Sequence, residues 1–230
     1  MANKLEQIIN ELNTKSQLKQ NVYANAMEVF GTFKSVVERL VDKIGPSIRE
    51  KSPSVEVSVQ DYGDFEFHLK FSGDTIVFLL HTNVFAFPDN HVVNRSKYIK
   101  SKSDCGYFGM IQAYNFLSDS LKYNRLGDSG LLLARIFVNC ENHFYVEGMR
   151  QLGFLYTDVK KQLLNTKHIE NIVELCMLYC IDLDLEVPPP GALSHITVQQ
   201  KNAFNNPSGL PTSKPLGFEI VNTSKDSETE

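Results

Sequence analysis

The chain has 230 residues and a formal charge of −4, from 23 Lys and Arg against 27 Asp and Glu. That balance excludes a surface built throughout for polyanions, since phosphate contacts need many cations facing one way, while an apolar fraction of 42% supports a packed core without metal or disulfide staples. Cys105, Cys140, Cys176 and Cys180 are too scattered for the framework of a small secreted domain, no apolar leader follows Met1, and no apolar run approaches the roughly 20 residues that cross a bilayer. The expectation is a cytoplasmic protein with reduced thiols and no membrane span.

Residues 1–45 read as helical. Leu5, Ile8, Ile9 and Leu12 form a short apolar pattern that breaks near Asn13 and Thr14. From Gln17 onward Val22, Ala26, Val29, Phe30, Phe33, Val36, Val37, Leu40, Val41 and Ile44 recur three and four apart, which is one stripe of a long amphipathic helix. Ser16 is placed to cap it, and Gly45-Pro46 to stop it.

The period then changes to two. Val55, Val57 and Val59, followed by Phe65, Phe67, Leu69 and Phe71, alternate with polar residues, and an apolar run covers 75–80. With turns at 61–64 and 72–74, residues 54–87 read as an antiparallel meander. The stretch 89–104 reads as a polar, basic loop. Phe108, Ile111, Tyr114, Leu117 and Leu121, spaced by threes and fours, predict a helix over 104–123, although Gly106 and Gly109 disfavour it.

Residues 131–148 read as a hairpin turning at Cys140-Glu-Asn-His143, and 157–183 as helical in two pieces, 157–164 and 167–181. From Pro188 the chain is rich in Asn, Ser, Thr, Pro and Gly, so 188–230 reads as a largely disordered tail, with one segment at 216–221 able to dock on the body. The sum is a single α+β domain over 1–187, with an antiparallel sheet of about five to six strands and helices on one face.

The Walker A, G-x-G-x-x-G, H-E-x-x-H, C-x-x-C and G-x-S-x-G patterns are absent from the chain. Cys140 beside His143 is a candidate nucleophile and base, because a thiolate needs a neighbouring imidazole to lower its pKa, with Glu141 to orient the ring. Asp61, Asp64, Glu66, His68 and Lys70 form an acidic hairpin of the kind that could hold a divalent cation, though solvent-facing strands carry the same pattern. Cys176 and Cys180 share a helix without the partners a structural zinc needs, and neither a metal nor another cofactor is expected.

Arg95, Lys97, Lys100 and Lys102 surround Tyr98 and could grip a phosphate-bearing ligand, with Lys122 and Arg125 extending the patch. The leading expectation is a non-catalytic protein-binding or assembly module, forming a homo-oligomer or holding a protein partner. Its interface would be the long helix, through Val22, Val29, Phe33, Val37 and Leu40, or a sheet edge. Those side chains form a stripe longer than a small sheet can cover.

Overall fold

The computed structural model describes residues 3–185, so the polar region 188–230, with its segment 216–221, lies outside the described residues. The chain opens with α1, Lys4–Glu11, capped by Asn3, whose Oδ1 accepts the Leu5 N–H at 3.2 Å. The irregularity expected near Asn13 is a π-helical turn over Leu12–Ser16, not a break. There the Thr14 hydroxyl donates to the Asn10 carbonyl at 2.7 Å, the back-bonding that distorts helices at Ser and Thr. Ser16 is itself helical and makes no side-chain cap.

The next helix, α2, runs Gln17–Lys51 and passes straight through Pro46. The expected stop therefore fails. Proline removes one backbone bond, to the Asp42 carbonyl, but Ile44 still packs on the core and Ile48 borders a cleft with Val55 and Val57. The helix ends where Ser52 precedes Pro53, with the Ser52 N–H closing on the Ile48 carbonyl at 2.7 Å.

Seven strands among the described residues form one antiparallel sheet. They are β1 Val57–Asp61, β2 Glu66–Phe71, β3 Asp74–Leu80, β4 Phe85–Ala86, β5 Tyr107–Leu117, β6 Leu131–Val138 and β7 Phe144–Gly148. Their spatial order is β1-β2-β3-β5-β6-β7, with β4 paired to the start of β5.

The helix expected over 104–123 is the central strand β5. The single-turn helix α4, Ser118–Lys122, comes directly after it. Ile111 sits between Leu80 of β3 and Ile136 of β6. A strand covered on both faces carries apolar residues at both parities, so strict alternation is lost and a helical spacing arises by coincidence.

This changes the account of the long helix. On the helical face lies the main core, closed by α2 and by α5, Thr166–Ile181. Phe30 packs on Phe67 with ring centres 5.2 Å apart, and Phe33 on Phe78 at 6.3 Å. Val22, Val29, Phe33, Val37 and Leu40 are 0, 8, 0, 0 and 5% exposed within the single chain. They are core residues, so the expected interface along this stripe is overturned: the sheet is wider than the sequence pattern implies, by the strand whose spacing mimics a helix.

The opposite face is divided. Residues 85–105, with the short helix α3, Lys97–Ser101, cover a second core of Val93, Ile99, Phe108, Met110, Phe137 and Tyr145. Near β1 and β2 the described residues leave a concavity on that face. The helix expected over 157–164 is instead irregular chain with a turn at 158–161 that runs beside β7: the Phe144 N–H donates to the Gln162 carbonyl at 3.1 Å and the Val146 N–H to the Tyr156 carbonyl at 3.0 Å. An uncovered strand edge has unpaired backbone groups, and this segment satisfies them. Asn165 then caps α5, accepting the His168 N–H at 3.0 Å.

Candidate functional site

The basic loop and the β6–β7 turn, far apart in the sequence, meet around Asn139, which is fully buried. Its Nδ2 donates to the Tyr98 hydroxyl and to the Cys105 carbonyl, both at 3.1 Å, and its Oδ1 accepts the N–H groups of Glu141 and His143, both at 3.0 Å. The Tyr98 hydroxyl donates to Glu141 at 2.8 Å, and Lys102 pairs with the same carboxylate at 2.7 Å. The His143 ring lies 4.2 Å from the Tyr98 ring, while its Nδ1 bonds the Val159 carbonyl at 2.8 Å.

These contacts give the residues structural work. Lys102 holds the Glu141 carboxyl below its usual range, and Glu141 in turn raises Lys102. Tyr98 has its hydroxyl engaged and its ring against His143, and Lys100 is exposed. Arg95 and Lys97 instead border a groove of about 350 Å³ that also holds Lys160 and Thr157. Lys122 and Arg125 do not join that patch: they line a separate concavity of about 540 Å³ on the open sheet face, with His68, Lys70, Thr75 and Leu185.

Cys140 does not have the character of a nucleophile. Burial, and then the neighbouring Cys105 thiol, push it up to about 11. A raised value keeps the thiol neutral, with about one molecule in a thousand ionised at pH 8. Alkylation of Cys140 at pH 8 is expected to run about a hundredfold slower than that of an unperturbed thiol and to climb steeply through pH 9–11. Mass-spectrometric labelling rates check this, and a rate at pH 8 equal to that of a free thiol would restore the nucleophile reading. Cys176, buried in the core, is pushed up further, to about 12.

The acidic hairpin disperses its carboxylates. Asp61 pairs with Lys34 of α2, and that hydrogen bond, helped by the Gly63 N–H, holds its carboxyl below the usual range. Glu66 bonds the nearly buried His68 at 2.7 Å, the Tyr62 ring lies 4.2 Å from the His68 ring, Lys70 pairs with Glu56, and Asp64 is exposed on the turn. Among the described residues no three His, Cys, Asp or Glu side chains converge as a metal-holding group, and no helix is long and apolar enough to cross a membrane.

What stands out instead is α1. Leu5, Ile8, Ile9 and Leu12 are 59, 55, 50 and 58% exposed, and no residue from Asn3 to Gln17 is buried. These four occur at helical spacing and share one side of the helix. Lys4, Glu6, Glu11 and Lys15 flank them with balanced charge, unlike the basic face of helices that lie on anionic lipid. The signal is present in the sequence as the short apolar pattern, but the longer stripe behind it overshadows it. No family model, curated protein or solved structure gives a significant match to this chain, so its function must be argued from the molecule's own surfaces.

Proposed function

We propose that the protein is a non-catalytic binding or assembly module that self-associates through its first helix. The observation that carries this reading is the exposed row Leu5, Ile8, Ile9 and Leu12. Each such side chain gains about 1.5–3 kcal/mol on full burial, and a helix whose apolar stripe is this exposed needs a second surface to bury it. A like helix supplies one of matching width.

Sedimentation velocity tests it. The unaltered chain is expected to run as a dimer or larger species with a melting temperature that rises with concentration, and Ile8→Asp with Leu12→Asp as a folded monomer whose melting temperature does not depend on concentration, because neither side chain contributes to the core. A monomer at every concentration for the unaltered chain would remove self-association from the proposal.

A second reading is favoured by the groove holding Arg95, Lys97 and Lys160. Three cations beside the Ser96 and Thr157 hydroxyls suit a phosphate-bearing ligand. Binding of a fluorescent oligonucleotide or nucleotide at low salt is expected to weaken as salt rises and to vanish in Arg95→Glu/Lys97→Glu. Absence of binding at low salt counts against it.

A further inference from the structure

We infer that Cys105 and Cys140 form a dithiol site for peroxide-class oxidants, which join the two residues in a disulfide that fastens the segment over the second core to the β6–β7 turn. This goes beyond association through α1 and does not depend on it.

The pairing of β5 with β6 brings the two cysteines to one place. The ladder sets Gly109 opposite Val138, and one residue on, the buried Asn139 donates from Nδ2 to the Cys105 carbonyl at 3.1 Å. Cys140 follows directly and packs against the second core, to which Cys105 belongs. The two thiols lie within hydrogen-bonding reach of each other. Both also line one cavity of about 490 Å³, whose wall includes Leu18 and Asn21 of α2.

Access separates this pair from the other two cysteines. Cys176 and Cys180 are both fully buried in the main core, whereas Cys140 is half-buried on the wall of the cavity. An oxidant entering the cavity meets Cys140 first, and Cys105, only 2% exposed, stands behind it as the resolving thiol.

The chemistry balances with hydrogen peroxide as the single co-reactant. The Cys140 thiolate attacks one peroxide oxygen, the O–O bond breaks, and the departing hydroxide takes up a proton to leave as water. The product is a sulfenic acid. Cys105 then attacks that sulfur: the S–S bond forms, the S–O bond breaks, and the hydroxide leaves as a second water with the Cys105 thiol proton. Two thiols have lost two electrons and one peroxide has become two waters. Because the Cys140 thiol is mostly neutral, the first step is slow near neutral pH and quickens as pH rises. The second joins groups already in contact and is fast. The crosslink encloses the long loop between the two residues, so it restricts the unfolded chain and stabilises the folded one.

Peptide mapping of the full chain under non-reducing conditions, after treatment with hydrogen peroxide at about pH 9, provides the test. Peptides linked through Cys105 and Cys140 are expected, with Cys176 and Cys180 still free. The oxidised protein should unfold at higher urea than the reduced one, and dithiothreitol should reverse the shift. In Cys105→Ala the sulfenic acid has no resolving partner, so dimedone, which captures sulfenic acids, should label Cys140 several-fold more than in the unaltered chain. Both thiols remaining free, a link that joins two chains, or equal dimedone labelling with and without Cys105 overturns the proposal. The peptide map of the unaltered chain decides the matter whether or not the variant folds.

Discussion

Replacing Phe33 by alanine is expected to lower the unfolding free energy by about 3–5 kcal/mol, the usual cost of emptying a large aromatic site in a closed core. Phe33 is fully buried, 6.3 Å from the ring of Phe78 on β3, and sits midway along the stretch of α2 that spans the sheet. Urea denaturation monitored by circular dichroism measures the loss as a shift of midpoint at unchanged slope. The oligomeric state of the folded Phe33→Ala protein should not change, the reverse of the pattern expected at Ile8 and Leu12. A loss below about 1 kcal/mol would mean that this face of α2 is not core.

Gly109→Ala is expected to destabilise by about 1–3 kcal/mol, although the substitution adds only a methyl group. A Cβ at position 109 would lie 2.3 Å from the Cβ of Ala26, so α2 and β5 could not keep their present separation. The glycine is there for close approach of helix to strand. The double substitution Gly109→Ala/Ala26→Gly tests that cause: glycine in a helix interior costs about 0.5–1 kcal/mol by itself, yet it removes the clashing atom. The pair should therefore be less destabilised than the sum of the singles. Simple additivity in thermal or urea unfolding would show that the clash is not the reason for glycine at this position.

The two substitutions probe one ambiguity of the sequence from opposite sides. Phe108, Ile111, Tyr114 and Leu117 have helical spacing, and that spacing predicts a helix there although Gly106 and Gly109 argue otherwise. Once the segment is the central strand β5, Gly109 has a purpose and the stripe on α2 has a wide enough sheet to lie on. The interface reading of Val22, Val29, Phe33, Val37 and Leu40 falls with the miscounted sheet. The exposed row on α1 then remains as the candidate surface.

At the β6–β7 turn the hairpin is legible from its apolar runs and the polar turn between them, but the meaning of Cys140, His143 and the basic loop is not. Their roles depend on Asn139 joining segments some forty positions apart, and no local pattern records such a bond. The edge-covering segment 154–164 is illegible for the same reason. Its conformation answers backbone groups of β7, which side-chain periodicity does not report.

Sequence by itself determined the elements marked either by a period or by an apolar run between turn residues: the long helix, the strands β1 to β3, the β6–β7 hairpin and α5. It also determined the class, helices on an antiparallel sheet, because the spacing changes from three-and-four to two near Pro53. Tertiary structure decided the rest: β5, covered on both faces and so without a period, the passage of α2 through Pro46, and which apolar row stays in water. Hydrophobic spacing says that a face must be buried, but only the assembled neighbours decide whether this chain buries it.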